Sequence, residues 1–142
     1  MSEGKVVYPE KVMPFIAPGC EGKYLSRMLI DIFNCGSEKM QINHGTLKGG
    51  QGLPGAAHEG HDEIYIALSG HADLNLAGKH YDVNPGTVVF IPGGTFHALT
   101  NKSATEDFVL FTVWAGQPAP GANELYDMRK EAWGTTYREI EE

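Results

Sequence analysis

The chain has 142 residues, with 11 basic against 18 acidic side chains and a formal charge of −7; that length suits one domain with a single sizeable core, residues 1–142. No basic stripe is visible, which argues against nucleic acid as a partner. No apolar run is long enough to span a bilayer, and no basic region followed by an apolar stretch and a cleavage site opens the chain, so it reads as soluble and cytoplasmic. Eighteen glycines and eight prolines set between short alternating apolar runs fit an all-β sandwich or barrel. Cys20 and Cys35 have no CxxC spacing and are expected as free thiols.

Along the chain, residues 1–39 read as an N-terminal arm. Within it, Val6-Val7-Tyr8 and Val12-Met13 are short β-like runs broken by Pro9 and Pro14, and Tyr24 to Asp31 is a strand. Asn34 to Ser37 reads as a turn before a second strand, Met40 to Leu47. The core of the domain is expected over about residues 40–114. It holds a strand from Glu63, a hairpin of Ala72 to Leu76 and His80 to Val83, a strand Thr87 to Ile91, its return from His97, and a strand Phe108 to Trp114. In the tail, residues 115–142, Gly116 to Gly121 punctuates the chain. Leu125, Met128, Ala132 and Trp133 then recur at near-helical spacing, with Glu124 and Asp127 early and Arg129 and Lys130 late, which predicts a short amphipathic helix.

Two segments carry chemistry. Gly86 to Asn101 reads GTVVFIPGGTFHALTN: a β-branched strand, a Pro92-Gly93-Gly94 turn and a return strand that begins at His97. A histidine held there between sheet and turn suits a metal ligand or a base. Upstream, His58, Glu59, His61, Asp62 and Glu63 crowd the approach to an apolar strand. In that strand Glu63, Tyr65 and Ala67 share one face, and Ile64, Ile66 and Leu68 share the other. A carboxylate on a face to be buried is costly alone and reasonable beside a cation.

Together these segments resemble the cupin family over roughly residues 40 to 114. Gly86, Pro92, Gly94, His97 and Asn101 match every position of the second cupin motif. Gly50, His58, Glu63 and Gly70 match the first motif in its variant with four residues between histidine and glutamate, and Ala56 stands where that motif has its first histidine. The resemblance implies a double-stranded β-helix, or jelly-roll barrel, with an N-terminal β arm and a short C-terminal helix.

It also implies a divalent metal (Fe, Mn, Zn or Ni) on His58, Glu63 and His97, a set of two imidazoles and one carboxylate that leaves open positions for substrate or oxygen. His61 projects to the same side if the strand has already begun, and is then a further ligand in place of the histidine missing at 56. His44 is a weaker candidate in a strand expected to line the same barrel, while His71 and His80 lie off the motif positions. Tyr65, on the face of Glu63, can serve as a hydrogen-bond donor or acid, or simply pack. Asn101 is expected to fix a turn, and Pro92 and Gly94 to shape one.

Cupins host many reactions. The first expectation is a small metal-dependent enzyme in which Glu63 and Tyr65 act on an oxygen-rich small molecule (a sugar derivative, hydroxy acid or keto acid) by isomerisation, lyase or decarboxylation chemistry. The alternatives are a non-haem iron dioxygenase and a non-catalytic small-ligand-binding module. Apolar strand faces such as Ile64, Ile66 and Leu68 need cover, so a homodimer is expected, with N-terminal strands or the C-terminal segment packing across the interface.

Overall fold

The computed structural model describes residues 4–118, 121 and 123–141. Eight strands form two antiparallel sheets. They are β1 (Tyr24–Ile30), β2 (Met40–Leu47), β3 (Glu63–Ser69), β4 (Ala72–Leu76), β5 (Lys79–Val83), β6 (Val88–Ile91), β7 (His97–Asn101) and β8 (Phe108–Ala115). The larger sheet runs β1-β2-β8-β3-β6 and the smaller β5-β4-β7, and the fold is the jelly roll expected from the sequence. The strands fall where the apolar alternation and the Gly, Pro and Asn punctuation set them.

The period of two fixes what faces inward. On β3, Glu63, Tyr65 and Ala67 are buried at 6%, 8% and 2% exposure, while Ile64 and Leu68 remain 38% exposed. Register then carries one inner row across the larger sheet, from Met28 through Asn43 and Thr112 to Tyr65. A neighbouring inner row sets Ile91 beside Glu63, Glu63 beside Trp114 and Trp114 beside Gln41. Below these polar rows lies the apolar core, where Leu47, Ala67, Leu74, Leu99, Phe108 and Leu110 pack from both sheets. The outer face keeps an apolar surface that includes Ile64, Leu68, Val88 and Phe90.

The segments outside the barrel pack on their own chain. The N-terminal arm holds a 3-10 turn at Pro9–Lys11, then bridges Val12 to Glu139 and Phe15 to Ser26. In place of the turn expected at Asn34 to Ser37 there is a one-turn helix, α1 (Ile32–Cys35), which ends at Gly36 in the left-handed region. Asp31 explains the difference: its carboxylate caps the N–H groups of Phe33 and Asn34, and the Asn34 side chain caps Asp31 in return.

The C-terminal helix α2 (Glu124–Trp133) is capped by Asn123 and closed by Gly134. Its buried residues are Tyr126 and Arg129 rather than a stripe through Ala132, which is exposed. The docked face is set by Tyr126 entering a cluster with Met28 and Trp114 and by Trp133 meeting Phe15 edge-on at 5.3 Å. Both cysteines are free.

Candidate metal centre

The two motif segments meet because their backbones pair. Ala56 and His97 exchange hydrogen bonds at 3.0 and 2.9 Å, and the Leu53 N–H donates to the Leu99 carbonyl at 2.9 Å, so the stretch before His58 runs along β7. The Gly94 N–H donates to the His58 carbonyl at 3.0 Å, and the Gly93 N–H to the Asp62 carboxylate at 2.9 Å. The glycines make this approach possible. A Cβ at Gly93 would press on the His61 backbone at 3.1 Å, and Gly94 has φ +79°, where other residues are strained.

This clamp brings His58, Glu63 and His97 together, one ligand atom from each lying within 4.8 Å of the others. Glu63 and His97 are buried and His58 is half-buried. His97 Nδ1 lies 3.0 Å from the Thr95 carbonyl. Donation to that oxygen places the proton on Nδ1 and leaves the Nε2 lone pair for a ligand bond, as second-shell acceptors do at metal sites.

His97 Nε2 is 3.5 Å from Glu63 Oε1, too long for a good hydrogen bond. Burial shifts both groups toward neutrality: it pushes the Glu63 carboxyl up to about 7, and it holds His97 below the usual histidine value, the neighbouring His58 adding to the effect. The pair is therefore not a stable ion pair in the metal-free protein, and Glu63 Oε1 is buried with no hydrogen-bond partner. A buried acceptor left open beside two imidazoles fits a divalent cation.

His61 stands beside this group and not in it. Its ring stacks on His58 with centroids 5.6 Å apart, and its Nε2 is buried without a partner. Ala56 lines the cavity next to His97, the location from which a histidine would reach the same ion. Tyr65 meets the His97 ring edge-on at 5.8 Å. Burial raises its phenol well above the ordinary value, the nearby Glu63 contributing, so it stays protonated.

The remaining histidines sort by strand face. His44 lies on the outer face, paired in register with Phe111 and touching its ring at 5.9 Å, so the expectation that it lines the barrel is not met; Asn43 points in instead. His71 and His80 sit at the surface against Asn84 and Asp73. Asn101 fixes a turn, donating from its amide to the carbonyls of Leu47, Lys48 and Glu106 and accepting from the Ser103 N–H.

The cluster opens on a cavity of about 460 Å³ lined by residues of both sheets and of α2. Asn43, Thr112, Trp114, Tyr126 and Arg129 belong to its wall, and none was singled out from the sequence as a site residue. Strand alternation alone leaves Asn43 and His44 as alternatives, and the register with β8 sets Asn43 and Thr112 inward together. No local pattern marks Arg129.

The Cupin domain family profile matches residues 43–114, just over half of the 142 residues, and the chain belongs to the cupin family. No curated protein matches its sequence. Solved structures share the fold. The polyketide cyclase RemF from Streptomyces resistomycificus has a TM-score of 0.71 at 23% identity, covering 82% of each chain. A predicted oxalate decarboxylase from Thermotoga maritima has a TM-score of 0.68 at 24% identity, over 80% of this chain and 100% of that one. KdgF from Halomonas sp. has a TM-score of 0.65 at 16% identity, over 80% and 94%. Among the described residues no helix is long and apolar enough to cross a membrane.

Proposed function

We propose that the protein is a small metal-dependent enzyme acting on an oxygen-rich small molecule by isomerisation, lyase or decarboxylation chemistry. The observation that carries this reading is the convergence of His58, Glu63 and His97 in the wall of a cavity lined by both apolar and polar side chains. A divalent ion held by these three residues supplies Lewis acidity to substrate oxygens.

The chain's own groups do the rest. Tyr65, kept protonated by burial, donates its O–H to an oxygen on which negative charge develops. Glu63, with its carboxyl pushed up to about 7 by burial, is placed to hold and return a proton at a carboxylate oxygen. The walls from β2, β3, β8 and α2 fix the substrate's orientation. The families named for neighbouring structures include a decarboxylase and a cyclase, which is compatible with this range of chemistry and selects nothing within it.

The second reading, a non-haem iron dioxygenase, is favoured by the donor set itself, since two histidines and one carboxylate leave coordination positions for oxygen. Elemental analysis of freshly purified protein, followed by assays of hydroxy and keto acids with and without oxygen, separates the readings. Turnover under anaerobic conditions with bound zinc, manganese or nickel supports the first. Iron with oxygen uptake supports the second, and metal-free saturable binding without turnover replaces both with a binding module.

In this reading the chain forms a homodimer that covers the outer face of the larger sheet, where Val88 and Phe90 are more than half exposed, with N-terminal strands or the C-terminal segment packing across the interface. Light scattering at micromolar concentration tests it; a monodisperse monomer contradicts it. The two free thiols are in keeping with a reducing, cytoplasmic compartment.

A further inference from the structure

Arg129 is buried in a way the barrel does not explain. It reaches from α2 into the wall of the cavity that holds the histidine and glutamate cluster, is only 2% exposed, and is the sole lysine or arginine among the lining residues described. Its Nη2 donates to Ser26 Oγ, and its guanidinium lies over the Phe15 ring at 5.4 Å. Its Nε is buried with no hydrogen-bond partner. Among the described residues no carboxylate lies within 4.0 Å of it.

The acidic side chain that influences it, Asp31, is already committed to the N–H groups of Phe33 and Asn34 and to the Thr136 hydroxyl. A buried guanidinium without an anion is a costly arrangement unless something supplies the charge.

The same cavity gathers other unmet groups. Eight buried side-chain polar atoms lack a partner among the described residues, and five of them, on Asn43, Glu63, Trp114, Tyr126 and Arg129, line this one space. Native proteins pair nearly all such atoms, so their concentration in one wall calls for polar partners that the described side chains do not supply. The unmet groups include donors: the Trp114 indole N–H cannot accept at all, and the Tyr126 hydroxyl, one helical turn from Arg129, is held protonated by burial, with a value raised to about 12. Tyr24 lines the same cavity as Arg129 and Glu63.

We infer that Arg129 is the anchor for a substrate carboxylate, so that the molecule turned over is a hydroxy or keto acid held between the guanidinium and the histidine–glutamate cluster. This rests on the proposed function and narrows its substrate class from oxygen-rich molecules in general to acids. One guanidinium answers one negative charge, and its fork of N–H groups matches the two oxygens of a carboxylate. A phosphate dianion at Arg129 would call for a second basic side chain beside it, and the described lining has no other lysine or arginine.

The test compares pyruvate with hydroxyacetone, which keeps the carbonyl and replaces the carboxylate by a neutral alcohol, using calorimetry on chelator-treated, metal-free protein and again on metal-loaded protein. The anchor is independent of the metal, so wild type is expected to prefer pyruvate by at least roughly tenfold in both states. R129Q is expected to lose that preference, R129K to keep part of it, and hydroxyacetone binding to change little.

If R129Q does not fold, the wild-type preference and R129K still decide. Equal binding of pyruvate and hydroxyacetone by the metal-free wild type overturns the proposal, and so does an R129Q or R129K that keeps the full preference. Inorganic phosphate displacing pyruvate with higher affinity overturns the carboxylate assignment, and no measurable binding of any of the three means a cavity filled by solvent alone, which also overturns it. A preference that persists while metal uptake proves independent of Glu63 and His97 retires the metal reading and leaves the anchor standing.

Discussion

The two ends of the cavity are built by different means. At the cluster end, His58, Glu63 and His97 come from two short segments joined by backbone hydrogen bonds and a glycine turn. At the other end, Arg129 and Tyr126 arrive on a helix placed by contacts with residues about a hundred positions earlier, Ser26 and Met28. The contrast separates chemistry fixed by local spacing from chemistry fixed by docking, and each can be damaged without the other.

The largest effect is expected at the cluster end. E63A removes the buried carboxylate from the donor set and should weaken metal binding by more than about 100-fold, beyond what loss of an outer-shell partner costs, as read by competition with a chelator. E63Q should do the same to the metal while acting oppositely on the metal-free fold. Glu63 is 6% exposed with an unpartnered oxygen and a carboxyl pushed up to about 7. Above that pH, where it ionises without a cation, removing its desolvated charge should raise the thermal midpoint of metal-free protein, and the gain should vanish as pH falls from there toward the ordinary carboxylate value. A metal-free E63Q that melts below wild type contradicts the account of a carboxylate waiting for a cation.

At the docked end the principal damage should be to stability. Asp31 is fully buried, caps α1 and accepts from Thr136 in the C-terminal tail. D31A should therefore cost about 2–4 kcal/mol in denaturant unfolding, a lost cap added to an unsatisfied buried hydroxyl. Metal affinity should change by less than about threefold, because nothing in the cluster depends on that contact. A D31A protein that binds metal as poorly as E63A would show that the two ends are coupled.

The difference between the ends is also the difference in what the sequence makes legible. The second motif, Gly86 to Asn101, could be read completely: the strand, the turn, Gly94 at positive φ, the buried His97 and the turn-fixing Asn101 are all consequences of local spacing. Glu63 and Tyr65 were legible as inward because β3 alternates. His44 was not, since its strand needs register with β8 to decide which of Asn43 and His44 faces in. In the sequence Arg129 is a helix-end charge favourable to the dipole, the usual place for arginine on a short amphipathic helix. Its burial depends on Ser26 and Phe15, and no window of sequence contains all three.

Smaller effects sharpen the cluster itself. H97A removes a direct donor and should cost about 100-fold in metal affinity, the upper end of what loss of an outer-shell partner costs. H61A reports whether the stacked histidine is a ligand: a loss equal to that of H97A makes it one, and a loss under about threefold, which its position outside the cluster favours, leaves it as a support for His58. The smallest change is expected from A56H. Because Ala56 is the antiparallel partner of His97, an added imidazole should tighten metal binding by only a few-fold, limited by the absence of a partner to orient its ring. No gain with a costly H61A would mean that His61 already fills the place.

The central claim is that one metal ion sits among His58, Glu63 and His97. Crystals grown with the metal found in purified protein, measured at and below that metal's absorption edge, test it most directly. A single anomalous peak bonded to one atom of each of the three side chains is the predicted result, and a peak elsewhere, or none at full metal concentration, would contradict it.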